Sequence, residues 1–434
     1  MAAPETADLV AEVFAALDRL ARRRPGGLGI AVSGGSDSTA LLMLAVQWAG
    51  NPDVRCVTVD HRLRPESTEE ALGVGDLCAG LEIPHDILTW AEGPAARAGQ
   101  GNLSALARTA RMELMRDWAH RHRVGAILLG HTLDDQAETV MMRLMRGSGA
   151  DGLSGMAPAS QIDGMAWLRP LLGVRRESLR DFLREIGISW VDDPTNDDTS
   201  YDRVHVRRAI GTLGLDPTRL ADCAAHLTRQ RRVLEQDRDR LAGLAVEIGH
   251  CGEAILDHAA FQAAEEDTRY AVLADALGWV GGKTYRPRFR SLTDLWRAPD
   301  GRTLGGCLTI LRRDKLVICR EPGAVAPRQP LGQAPLWDQR WQVSMPNQAG
   351  LEIGPLGEKG LEILKNSLEP AARSPRGWRS APRSARATTP AIWDANELIA
   401  APIAGFLPQN GIIERGETVS LAPLPARFRR SRRL

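Results

Sequence analysis

The chain has 434 residues, 43% hydrophobic and 25% charged, the balance of a soluble globular protein long enough for about three domains. Its formal net charge is +1, so global charge points to no nucleic-acid or membrane partner and any such surface must be local. The six cysteines form no C-x-x-C pair, which leaves no sign of a zinc ribbon or a dithiol redox site and suits a reducing compartment. Glu5, Asp8 and Glu12 precede any apolar run, against a signal peptide, and no stretch is apolar for long enough to span a bilayer. A cytoplasmic protein is expected.

The first informative element is "LGIAVSGGSDSTALLMLAVQWAG", Leu28 to Gly50. An apolar strand pattern ends in Ser33-Gly34-Gly35-Ser36-Asp37-Ser38, and a helical pattern follows at once. Such a turn aims backbone N–H groups and the positive end of a helix at one point, an anion site suited to phosphate. It is neither G-x-x-x-x-G-K-[ST] nor G-x-G-x-x-G. The first lysine of the chain is Lys283, so phosphate charge in the first half must be met by arginines, amides and a metal ion. Asp37 is the candidate to hold Mg²⁺. The signature resembles the pyrophosphatase loop of the PP-loop ATPases, which implies cleavage of ATP between its α and β phosphates.

Strand and helix patterns then alternate. Val54–Val59 reads as a strand and "STEEALGVGDLCAGL" as a helix; "IPHDIL" is a short strand and "NLSALARTARMELMRDWAHRHR" a helix; Gly125–Gly130 is a buried strand before the helix "DDQAETVMMRLMR". This order predicts an α/β fold with a parallel, doubly wound sheet, Rossmann-like in architecture. Ser33–Ser38, Asp60-His61 and His131–Asp135 would meet at the carboxyl ends of its strands. From Asp216 to about Leu277 the pattern is helical throughout. "GRTLGGCLTILRRDKLVICRE" reads as a hairpin, "GAVAPRQPLGQAPLW" as a linker, and the remainder as a small β-rich domain. Inside it, the Arg/Ser/Pro-rich "ARSPRGWRSAPRSARATTP" reads as a mobile loop. The expected division is a catalytic domain over 1–213, a helical domain with a terminal hairpin over 214–325, and the β-rich domain over 326–434.

Several residues have two readings. Asp134 suits a helix cap, whereas Asp135 and Glu138, three apart on one helix, suit an anionic pocket for an ammonium group. His131 is a structural strand-end histidine or a functional group beside that pair. The stripe Met141, Leu144 and Met145 reads as core. Arg108 and Arg111 are a solvated pair or phosphate ligands, with Arg111 the better ligand candidate. Arg146 is as readily structural as functional.

"VDHRLRPES" (59–67), "GHTLDDQAETVMMRLMRGSGADGLSGM" (130–156), the segment from Leu168 through "VDDPTND", and "YDRVHVRR" from Tyr201 join the first loop in one order. Together they resemble the catalytic domain of tRNA(Ile)-lysidine synthetase, over about half the chain. The resemblance implies ATP and Mg²⁺ as cofactors, with tRNA(Ile) bearing a CAU anticodon and free L-lysine as partners. The wobble cytidine would be adenylated at the oxygen on carbon 2, and the lysine ε-amine would then displace AMP to give lysidine, changing AUG to AUA decoding. It places Ser33, Gly34, Gly35, Ser36, Asp37 and Ser38 at the nucleotide and gives Asp135, His131, Glu138, Arg111 and Arg203 catalytic work. Two positions depart from the family pattern: Met112 stands where Tyr is common, and Val204 where the family has Asn between Arg203 and the segment ending at Arg207. The alternatives are another PP-loop tRNA-modifying or adenylating ligase, and a non-catalytic RNA-binding protein on this scaffold.

Overall fold

Apolar residues alternating between two faces explain how the first half of the chain builds one sheet with helices on both sides. In a computed structural model of the protein, the described residues are 4–421 apart from 23–25, 51–53, 64–65, 94–95, 97–102, 163, 193–201, 284–285, 333–335, 346–349, 367–374 and 407–417. They divide into two units, Met1–Arg231 and Arg232–Leu434, and the helix Pro217–Ala245 runs through the division. Among the described residues no helix is long and apolar enough to cross a membrane.

In the first unit the strands are β1 (Gly27–Ala31), β2 (Val54–Asp60), β3 (His85–Thr89), β4 (Val124–Leu128), β5 (Ala159–Ile162) and β6 (Met165–Leu168). Their spatial order is β3-β2-β1-β4-β6-β5. All neighbouring pairs are parallel except β5 with β6, so the expected parallel sheet carries one antiparallel edge. Ala126, Leu128, Ala166 and Leu168 face one core with Val13, Leu17, Leu41 and Phe182; Ile127, Leu129, Met165 and Trp167 face the other with Met115 and Trp118. This period of two along each strand is what covering both faces requires.

Among the described residues the second unit holds three antiparallel sheets. One orders Val246–Ile248, Ala254–Asp257, Lys315–Arg320, Cys307–Arg312 and Thr303–Leu304, and the last long pair is the expected hairpin. The first two of these strands correct the all-helical reading of Asp216–Leu277. They are three and four residues long, too short for a period to show against the helices on either side.

The Gly323–Trp337 segment is not a free linker: it contributes strands Gln329–Pro330 and Leu336–Trp337, with Leu331 and Trp337 fully buried. Nor is the described part of the Arg/Ser/Pro-rich stretch a mobile loop. It forms helices Arg376–Ser380 and Arg383–Ala387, which bury Trp378, Ala385, Thr388 and Thr389. Residues 371–374 and the basic Arg427–Arg433 lie outside the described residues.

A buried ion network sits in this unit. Asp338 accepts from Arg320 Nη2 at 2.9 Å and Arg340 Nη2 at 3.1 Å, and Arg340 is 1% exposed. Nearby Glu253 accepts the Cys251 amide at 2.9 Å, yet burial raises its carboxyl to about 7 against that hydrogen bond and the charge of Arg340. The folded chain therefore keeps this proton to a higher pH than the unfolded chain, whose carboxyl titrates near 4.5. Stability from this group is complete below the unfolded value and declines as pH climbs toward 7. Glu253→Gln should accordingly leave the urea midpoint nearly unchanged near pH 4.5 and raise it above that of the parent at pH 8. Equal destabilisation at both pH values would show that the ionised carboxylate supports the fold.

Candidate active site

The chain leaves β1 toward β2 and leaves β4 toward β6, in opposite directions along the sheet. The loops at the carboxyl ends of these two adjacent strands diverge and open a crevice between them. Ser33–Ser38 leaves β1 and His131–Asp135 leaves β4, so the topology itself brings both motifs to the crevice.

The first loop is closed by its own hydroxyls. Ser38 Oγ accepts the Ser33 amide at 3.1 Å and donates to the Gly35 carbonyl at 3.1 Å. Gly34 takes φ +86°, a conformation open to glycine at little cost. Gly35 is the N-cap of helix Ser36–Ala49 and offers no side chain to its first-turn amides, which leaves them for an anion. Gly130, two residues past β4, packs directly on this loop: a Cβ there would lie 3.1 Å from the Ser38 Cα and N.

Opposite the loop stands helix Leu133–Met145. Its N-terminus is a capping box, with Asp135 Oδ2 accepting the Thr132 amide at 2.8 Å and Thr132 Oγ1 accepting the Asp135 amide at 3.4 Å. Asp135 Oδ1 faces the crevice. Asp134 also caps, but at a later helix, accepting the Arg176 amide at 2.8 Å at the start of Arg176–Glu185. Asp135 thus takes both the cap of its own helix and the crevice contact, where the sequence assigned the cap to Asp134. Glu138, one turn on, is 2% exposed.

One guanidinium joins these parts. Arg176 Nε donates to Asp37 Oδ2 at 2.8 Å, Nη2 to Asp135 Oδ1 at 3.2 Å, and Nη1 lies 3.8 Å from Glu138 Oε1. Arg203 and Arg207 reach Glu138 from helix Asp202–Thr212, at 3.2 and 2.8 Å. Arg180, one turn after Arg176, touches Ser36 Oγ at 3.5 Å and pairs with Asp192 at 3.2 Å.

Burial raises the Asp37 carboxyl, and Asp135 adds to that, against the pull of Arg176. Burial acts the same way on Asp135, but Arg176, Arg203 and the Thr132 amide outweigh it and hold this carboxyl below the usual range.

A second group of residues is electropositive. Arg111 Nε is buried without a hydrogen-bond partner, and burial together with Arg108 and Arg203 lowers its pKa to about 10. His131 is held neutral: burial, then Arg169, Arg111 and Arg203, bring it to about 3 against the opposing charge of Asp135. Burial and Arg111 also lower His61, which meets Trp90 edge-on. Unpartnered donors and mutually repelling arginines in a buried crevice suit an anionic ligand. Asp60 serves the scaffold instead, accepting from Ser67 Oγ at 2.7 Å, Thr68 Oγ1 at 2.8 Å and the Arg62 amide at 2.9 Å.

Asp37, Asp135, Glu138 and Arg203 are therefore joined by ion pairs, and His131 and Arg111 act electrostatically on the same crevice. Arg176 and Arg180 were not singled out in the sequence, and Arg207, expected there as a phosphate contact, pairs with Glu138 instead. The available signal was Arg176 itself: a cation in the first turn of a helix opposes the helix dipole and calls for nearby carboxylates. The stripe expected in the core is corrected: Leu144 is 54% and Met145 73% exposed, and only Met141 packs, against Ala137, Val206 and Ile210. Helix Leu133–Met145 is covered along its first half and emerges at its end. Met112 and Val204 fill apolar space, the first against the Trp118 core and the second buried on its helix. Asp193–Asp198 and Tyr201 lie outside the described residues.

The PP-loop domain family matches residues 9–213. The tRNA(Ile)-lysidine synthase of Ruegeria pomeroyi is 39% identical, over 88% of this chain and 90% of that protein. That of Orientia tsutsugamushi is 30% identical, over 86% and 88% respectively. A solved U34-tRNA thiolase from Methanococcus maripaludis superposes on 52% of this chain and 79% of its own, with 15% identity and a TM-score of 0.45.

Adding one methyl at Gly130 would push the phosphate loop outward by a few tenths of an ångström. Gly130→Ala should weaken ATP affinity roughly tenfold while the thermal unfolding midpoint changes little. Titration with a fluorescent ATP analogue checks this, and an unchanged affinity would contradict it.

Proposed function

The chain belongs to the tRNA(Ile)-lysidine synthase family, whose members are ligases, and on that premise we propose that it joins free L-lysine to carbon 2 of the wobble cytidine in a tRNA(Ile) with a CAU anticodon. The PP-loop domain implies use of ATP. The observation that carries the reading is the meeting of a phosphate loop with the Asp135–Glu138 acid pair through Arg176.

The first step is adenylation. The cytidine oxygen on carbon 2 attacks the α-phosphorus in line, an oxygen–phosphorus bond forms, and pyrophosphate leaves with the electron pair. The amides of Gly34–Ser38 receive the departing phosphates, and Arg111 and Arg203 face the charge that spreads over the α-phosphate. Asp37 fits Mg²⁺: one carboxylate at the phosphate loop is the usual protein share of such a site, with phosphates and water as the other ligands. When bound, the metal would screen phosphate charge.

In the second step the ε-amine of lysine attacks carbon 2 and AMP departs. Asp135 and Glu138 hold the incoming ammonium. The amine must lose a proton to attack, and we assign that proton to His131, which interacts electrostatically with Asp135. Burial first, then Arg169, Arg111 and Arg203, depress the basicity of His131 in the free protein, and an anionic phosphate beside it would oppose the arginine part. The catalytic part is assigned to residues 1–213. Selection of the tRNA falls to 214–325 and 326–434, because telling this tRNA from methionine tRNAs that share its anticodon needs contacts away from the wobble base.

The test is incubation of the full chain with ATP, radiolabelled lysine and a panel of CAU-anticodon transcripts, followed by nucleoside analysis. Label should enter only the isoleucine transcript, as lysidine, with one pyrophosphate released per lysine. Asp37→Asn should abolish pyrophosphate release while tRNA binding persists. Absence of label in any transcript, or normal pyrophosphate release by the variant, would overturn the reading.

A further inference from the structure

The acid pocket that should receive an ammonium group is already filled by the protein's own cation. Arg176 contacts Asp37, Asp135 and Glu138 at once, and its side chain is 19% exposed, against about 40% for Arg203 and Arg207. Of the three guanidiniums in the cluster it is the most enclosed, and it touches all three acids.

The cluster is also balanced in charge. Asp37, Asp135 and Glu138 face Arg176, Arg203 and Arg207. A further cation brought to Asp135 and Glu138 in this state would meet three guanidiniums and find each carboxylate already in an ion pair, with Glu138 Oε2 buried but left without a hydrogen bond. In a partly desolvated site like charges repel strongly, so amine binding requires one arginine to leave or new negative charge to arrive. A triphosphate supplies both: even with its divalent metal it is net negative, and it lies at Ser33–Ser38, beside Asp37. A metal on Asp37 competes directly with the 2.8 Å bond from Arg176 Nε. The guanidinium then has phosphate oxygens as alternative acceptors from the same helix position.

We infer that Arg176 is a positioning residue that occupies the ammonium pocket of the nucleotide-free protein and gives it up when Mg·ATP binds, so that lysine binds after the nucleotide. This rests on the reading above, in which Asp135 and Glu138 hold the lysine ammonium. The consequence is protective as well as ordering. An amine cannot fill the pocket before the phosphate that must be activated is in place.

Equilibrium dialysis of radiolabelled L-lysine against the full chain tests this, with and without Mg²⁺ and an ATP analogue carrying a methylene bridge between the α and β phosphates. In the parent protein the analogue should tighten lysine binding at least about tenfold, the scale of one charge-assisted contact. In Arg176→Gln, lysine should bind without nucleotide about as well as it binds the nucleotide-loaded parent, and the analogue should add less than about threefold. Equal lysine affinity of the parent in the two conditions would overturn the inference even if the variant did not fold. So would a folded variant that kept the full effect of the analogue. Failure of the underlying reading has a different signature: Glu138→Gln would then keep full lysine affinity in the presence of the analogue.

Discussion

A single arginine among three carboxylates is the constraint on which the rest of the first unit depends. Arg176 opens a helix, where the dipole disfavours a cation, and the cost is offset only if Asp37, Asp135 and Glu138 are within reach. Those acids come from the loop after β1 and the helix after β4. The ion pairs therefore tie together three elements widely separated in sequence, at the point where the sheet changes direction. Asp134 reinforces the junction by capping the Arg176 helix through its backbone amide.

The two halves of the crevice complement each other. On one side, acids and arginines are matched, so the pocket is preorganised without a net charge of its own. On the other, burial and then the charge of Arg108 lower the basicity of Arg111, whose buried Nε lacks a hydrogen-bond acceptor. An anion completes that side and disturbs the matched one, and this asymmetry lets arrival of a phosphate change how a neighbouring cation is received. Charge is fixed in advance where it will be needed, which is how such sites lower a barrier without reorganising at the moment of reaction.

Much of this was legible in the residues. Ser33–Ser38 between a strand and a helix marks an anion loop because few other needs call for two glycines and three hydroxyls there. Alternating strand and helix patterns place that loop and His131–Asp135 at one end of a sheet. What escaped the reading depended on distance or brevity. Arg176 is 139 residues from Asp37, and its role comes from packing that no local pattern encodes. Ala159–Ile162, Met165–Leu168, Val246–Ile248 and Ala254–Asp257 are too short for a period of two to stand out. Leu144 and Met145 continue an apolar spacing past the end of the surface that covers their helix, and spacing alone does not say where cover stops.

If the Asp37–Arg176 pair couples the phosphate loop to the helix Arg176–Glu185, the two residues must be energetically dependent. A double-mutant cycle on unfolding free energy with Asp37→Asn, Arg176→Gln and the combined variant measures this directly. The account predicts a coupling of about 1.5–3 kcal/mol, with the second substitution costing much less once the first is made. Costs that add to within about 0.5 kcal/mol would contradict it.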